Sequence, residues 1–397
     1  MVRTKTVPSI AAAEYAARRE ALRAGMEQTG LDAIVVFYPA RVAYLTGFHH
    51  LPSERPIAFV LGPDGRCALV VPALEKEHAE QVRGIDHVDV YFEYPGDRHP
   101  MHRVSSLLHK LRAQPHRIGA DHDGVVPYWG YRGPRLSEVT GARTADVEPL
   151  IEALRRVKSP AELACMQLSC DWAGRAHRRM QAAIRTGLTE MECYEPAALE
   201  TLREMLQEMP GWRPRGFGGT GLVAMFVGGR ATAMPHGFVR GHGIQRGDVL
   251  VSGASVDVDG YHSELERTMI VGEPTPAQEK AFAAMHALGE RAIETIGPGV
   301  PLAAVELEVL DLARELGLEQ HLRHHVGHSL GLEVHEAPFL DRGEEGVCEP
   351  GMVFSVEPGV YLPQLGGFRH SDTVCVTADG CRVMTDYPRS LADLVVG

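Results

Sequence analysis

"VSGASVDVDGYHSELERT", Val251 to Thr268, decides how this chain is read. It has the layout of a β-hairpin carrying acidic groups, with a glycine, Gly253, where the first of them is expected. Side chains alternate faces along a strand, so Glu264 and Glu266 project from the same side of "SELERT". Two carboxylates on one face either bind cations or hold a cationic or amide-bearing substrate. The bland alternative is that Glu266 and Arg267 form an ordinary surface pair.

Outward from the hairpin, three more islands of ionisable groups fall in the second half of the chain. They are "MPHGFVRGH" with His236 and His242, "HHVGHSLGLEVHE" with His324, His325, His328 and His335, and "VFSVEPGVYLPQLGGFRHSD" with Glu357, Arg369, His370 and Asp372. Glycines 327 and 331 permit close backbone approach around His328. Pro358 and Gly359 end a strand just after Glu357, a place where site residues often lie. Taken singly, each island fits a structural role: solvated or capping histidines, or an ion-pair cluster at Arg369, His370 and Asp372. Their joint occurrence favours a site.

The rest of the chain sets the frame. With 397 residues, two domains are the default. Alternating strands and helices, with a hairpin signal at "PIAFVLGPDGRCALVVP", predict an α/β domain over residues 1–155. "RRVKSPAELACM" begins a second domain, residues 156–397, because Ser159, Pro160 and Glu162 stand in capping-box order before a long helix. Thr275 and Gln278 open another helix, and one more runs from about Leu302 to Leu316. Helices interleaved with antiparallel hairpins make this domain, and the chain as a whole, α+β.

Acidic residues outnumber basic ones 52 to 40, without a Lys/Arg-rich run, which argues against nucleic acid and anionic membranes as partners. Seven cysteines without a C-x-x-C pair point to a reducing cytoplasm, not a disulfide framework. The first 26 residues carry charges throughout, so neither a signal peptide nor a membrane span is expected.

In order and spacing, these islands resemble the creatinase/prolidase/methionine aminopeptidase family with its pita-bread catalytic domain. "YLTGFHHLPSERP" is similar to the N-terminal domain of creatinase and prolidase relatives, and "RRVKSPAEL" to their usual approach to the catalytic domain. The peptidases of this family hold two metal ions with two aspartates, a histidine and two glutamates. The matching positions here are Gly253, Glu264, His328, Glu357 and Ser371. Glycine offers no ligand and a serine hydroxyl is a poor substitute for a bridging carboxylate, so a dinuclear site is not expected.

The resemblance then implies a metal-independent, creatinase-like hydrolase of a C–N bond in a small nitrogenous compound, with no cofactor. In that reading His236 shuttles the proton, with Glu266, His328 and Glu357 as its catalytic companions, while Arg55, Glu264, His335 and Ser371 contact substrate. Arg55 matches an arginine that such relatives contribute to a neighbouring subunit's site, which implies a homodimer. The second reading is an Xaa-Pro dipeptidase-like metallopeptidase with one divalent ion on Glu264, His328 and Glu357. A third is a non-catalytic binding module on the same fold. Substrate choice is expected to rest on loops such as "FHHLPSE", "GWRPRGFGGTG" and "RATAMPH".

Overall fold

The computed structural model describes residues 6–111, 116–124, 130–215 and 221–397. Residues 216–220 of the loop "GWRPRGFGGTG" therefore lie outside the described residues. The chain divides into two compact units, Ile10–Arg155 and Arg156–Gly397, the latter joined by the segment up to Ser9. Helices and sheets mix in both, an α+β protein.

The first unit is built on a six-stranded sheet. Ala33–Val36 lies at its centre, antiparallel to Ala58–Leu61 and parallel to Arg117–Ala120. Ala58–Leu61 and Cys67–Pro72 form the hairpin predicted around Pro63-Asp64-Gly65. These strands are short apolar runs buried on both faces, as a helix-covered sheet requires. Val104, Leu107 and Leu108 of the helix Met101–Lys110 pack onto them.

The second unit opens with the helix Pro160–Ala183, whose Ser159 side chain accepts from the Glu162 N–H while Glu162 answers at the Ser159 N–H. Thr275 and Gln278 cap Pro276–Thr295 in the same way, and Leu302–Glu315 follows. Among the described residues nine strands make one mostly antiparallel sheet. Val249–Val256 and Leu265–Val271 are its hairpin, with Gly253 opposite Glu266. Leu265–Val271 in turn pairs with Ser371–Val376, placing Ser371 opposite Glu266 on the other side.

The helix Glu190–Glu208 and the strand Leu222–Gly228 are absent from the sequence reading. Pro196 inside the helix masks its periodicity, although the capping box Thr189–Glu192 announces its start. No helix among the described residues is long and apolar enough to cross a membrane.

Candidate active site

Period two of the strand sorts the last island. Arg369, Ser371 and Thr373 face the carboxylates of the hairpin, whereas His370 and Asp372 face away. Asp372 joins the fully buried Arg267 at 2.8 Å and Arg389 at 3.0 Å. His370 is buried against Phe282, its ring centroid 5.1 Å away. Arg267 also donates to the carbonyls of Ser371 and Pro388, so it braces the back of the sheet and is no surface partner for Glu266.

Glu264 sits just before its strand begins. Its N–H donates to Thr373 Oγ1, and that hydroxyl donates back to the Glu264 carbonyl, both at 2.9 Å. The carboxylate oxygen Oε1 accepts from Ser371 Oγ at 2.9 Å and from Ser355 Oγ at 3.0 Å. The other oxygen lies 3.6 Å from His328 Nε2. Ser371 is thus a ligand holder, positioning a carboxylate in place of supplying one.

His328 lies in the short strand Gly327–Ser329, between Glu336–Leu340 and Val353–Val356. Its Nδ1 donates to the Ser329 carbonyl at 3.0 Å, which directs Nε2 at the carboxylates. Glu357 Oε1 stands 3.4 Å from Nε2, yet that buried nitrogen has no hydrogen-bond partner. One donor atom from each of Glu264, His328 and Glu357 lies within 4.8 Å of the others.

Burial, with Glu357 and Glu266 close by, pushes the Glu264 carboxyl up to about 7. Burial acts on Glu357 in the same sense, but His328 and the Arg369 guanidinium outweigh it and hold that carboxyl at about 2. His328 is raised above the usual imidazole range, burial being overcome by Glu357 and Glu264. A buried nitrogen that makes no hydrogen bond thus converges with two crowded carboxylates, one of them also within 3.6 Å of Arg369.

Glu266 serves a different purpose. Arg369 donates to it through both Nε and Nη2, the latter at 2.7 Å, in a nearly buried fork. The guanidinium also donates to the Pro235 carbonyl at 3.1 Å and to Tyr361 Oη at 3.2 Å, and Nε reaches within 3.6 Å of Glu357. A Cβ added at Gly253 would meet Glu266 Oε1 at 3.6 Å. Glu266 therefore fills the space between the two strands whose matched ligands are missing, and its charge is already satisfied by Arg369. The donor set suits one divalent ion on Glu264, His328 and Glu357. It does not suit two.

Histidines complete the rim. The His335 ring stacks on His328 with centroids 3.7 Å apart and planes 15° from parallel. His236 follows Pro235, whose carbonyl accepts from Arg369. Burial above all, then the His328 charge, lowers the His335 imidazole, with His236 a lesser contributor. The backbone around His236 is tied by the buried Glu190, which accepts from the N–H groups of Gly228, Arg240, Gly241 and His242 at 2.7 to 3.1 Å. His324 Nε2 contacts Tyr361 Oη at 2.8 Å. His242 pairs instead with Asp248 at 2.6 Å. Arg55, in the first unit, forms ion pairs there with Glu54 and Glu93.

Of the sequence candidates, the strands gather Glu264, Glu266, His328, His335, Glu357 and Ser371, with His236 beside them. Ser355 and Tyr361 were missed as contributors, and Arg369 was named in its island but given no role. Alternation along "FRHSD" with Ser371 as reference would have placed Arg369 on the site face; nothing local marks the other two.

Residues 164–378 match the profile of metallopeptidase family M24, and residues 18–157 that of the creatinase/prolidase N-terminal domain. A putative dipeptidase, YkvY, of Bacillus subtilis is 27% identical over 92% of this chain and 96% of its own length. An Xaa-Pro dipeptidase of Pyrococcus horikoshii is 26% identical over 92% and 96%. Among solved structures, dipeptidase PepE of Mycobacterium ulcerans is 27% identical, with a TM-score of 0.80 over 98% of this chain and 99% of that one. These similarities overturn the expectation of a metal-independent, creatinase-like hydrolase, since the relatives are dipeptidases. They also remove the support for a site without any cofactor. The chain belongs to metallopeptidase family M24, a hydrolase with a creatinase/prolidase N-terminal domain.

Proposed function

We propose that this protein is a dipeptidase-type hydrolase of Xaa-Pro or related dipeptides, using a single divalent ion held by Glu264, His328 and Glu357. The observation that carries the reading is the buried His328 Nε2, which makes no hydrogen bond, converging with two carboxylates inside 4.8 Å. The identity of the relatives as dipeptidases supports the substrate class.

A divalent ion at this position supplies Lewis-acid polarisation of the scissile carbonyl. The chain's own groups do the rest. Ser355 and Ser371 fix one oxygen of Glu264, leaving the other free to face inward. His335, stacked on His328, presents an imidazole edge to the scissile amide. His236 relays a proton from the attacking water to the leaving nitrogen, so that a C–O bond forms as the C–N bond breaks. The Arg369–Glu266 pair keeps the neighbouring space filled and neutral. A small substrate, a homodimer in which Arg55 acts across the interface, and a cytoplasmic setting complete the proposal; seven cysteines without a C-x-x-C pair support the last.

The test is elemental analysis of protein purified without chelator, with turnover of an Xaa-Pro and non-proline dipeptide panel before chelation, after it, and after metal is restored. One equivalent of metal and chelator-sensitive, restorable turnover are expected. Dipeptide turnover indifferent to chelation, or none at any metal loading, would overturn the proposal.

A further inference from the structure

Lys158 stands in "RRVKSPAEL" as an unremarked residue one position before a helix cap, yet its side chain is 1% exposed. Its ammonium donates to Glu336 Oε2 at 3.2 Å and to Ser329 Oγ at 3.1 Å, and Glu336 is itself 2% exposed. The Lys158 N–H donates to the Gly351 carbonyl, so the base of the side chain is anchored to the unit's own framework. Each of its two side-chain partners adjoins a histidine of the site: Ser329 follows His328, and Glu336 follows His335.

We infer that Lys158 is a positioning residue that sets the stacked His328–His335 pair, an inference that rests on the site reading above. The strands carrying the two histidines do not run in simple register. A bulge falls between His328 and Ser329, so that His328 pairs with Phe339 while Ser329 pairs with Glu336. His335, just before the paired Glu336, stacks over the His328 ring beside this irregularity. An irregular ladder has fewer backbone bonds to hold such a fold-back.

The ion pair supplies the missing restraint. Glu336 Oε1 accepts from the Glu333 N–H at 3.1 Å, pinning the turn before His335. The Ser329 carbonyl accepts from His328 Nδ1 and fixes the ring's tautomer and direction. Lys158 joins these two restraints through one ammonium. Well-packed apolar residues would hold the strands together without the cost of removing two charges from water. What the pair offers beyond cohesion is direction.

The double variant Lys158→Met/Glu336→Gln removes both charges of the pair together. It is expected to keep the wild-type far-UV spectrum but to bind Mn2+ or Co2+ about 10–100-fold more weakly, the range for losing an outer partner of a metal ligand. In metal-free protein, the ¹⁵N signals of His328 and His335 should shift toward mixed tautomers. Ser329→Ala, which cuts only the link to His328's strand, should show the same changes more weakly, and serves if the double variant does not fold. A folded variant with metal affinity within about twofold of wild type and unchanged imidazole signals overturns the inference. Should wild type bind no metal, the site reading fails, and the imidazole signals alone decide the role of Lys158.

Discussion

Removing Arg369 should be more costly than removing the glutamate it holds. The variant Arg369→Met leaves the Glu266 carboxylate nearly buried, with its two guanidinium donors gone. Breaking a buried pair from one side costs about 3–5 kcal/mol, because an uncompensated charge stays behind. At about 2–4 °C per kcal/mol for a unit of this size, the melting point should fall by about 6–20 °C. Glu266→Gln is milder: Arg369 still donates to Pro235 and Tyr361 and remains 3.6 Å from Glu357. Losing one charge-assisted contact there costs about 1.5–3 kcal/mol. Combining the two changes removes both charges, so the double variant should be more stable than the sum of the single losses by up to about 3 kcal/mol. Urea unfolding of chelator-treated wild type, both single variants and the double closes the cycle. Additive losses, or an Arg369→Met protein within about 1 kcal/mol of wild type, would refute the view that this pair neutralises the space beside the metal position.

Other perturbations probe separate parts of the same logic. Glu357→Gln removes one of three donors, and metal affinity measured by calorimetry should fall by more than the roughly 10–100-fold typical of an outer partner. Gly327→Ala places a Cβ 2.0 Å from the Ser355 carbonyl oxygen, against backbone that cannot yield; it should cost about 3 kcal/mol or more in urea unfolding and scatter His328. His177 responds to acid. Ser252 Oγ donates to the Arg267 carbonyl, so His177 Nε2 donates to Ser252, and its buried Nδ1 has no acceptor. Burial, with Arg267 next, pulls this imidazole down from 6.5 to about 3. The folded state therefore binds fewer protons than the unfolded one between those values, and stability present above pH 6.5 is lost as pH falls toward about 3. His177→Phe should flatten that limb of a stability–pH profile; an unchanged slope would show that other groups set it.

Much of the fold was legible because its signals are local. Capping boxes at Ser159 and Thr275, and the Gly-bearing turns of both hairpins, depend on residues three or four apart and appear where expected. The helix Glu190–Glu208 escaped because a proline interrupts its pattern while tertiary packing sustains it. In the site, alternation correctly set Glu264 and Glu266 on one face, but it could not distinguish their roles. That distinction comes from Ser355, Ser371 and Arg369, which lie about a hundred positions away and reach the two glutamates only through strand pairing.

The same long-range pairing explains why ligand counting misled. Missing ligands at Gly253 and Ser371 suggested abandonment of metal, yet both lie opposite Glu266 in the sheet, and Ser371 also donates to Glu264. Between the two positions stands a carboxylate that carries its own cation, Arg369. Burial drives the Glu264 carboxyl up to about 7, and His328 Nε2, 3.6 Å from it, makes no hydrogen bond. On the proposed reading, the Arg369 guanidinium offsets the carboxylate between the two lost ligand positions, while Glu264, His328 and Glu357 keep three donor atoms within 4.8 Å of one another for a single divalent ion.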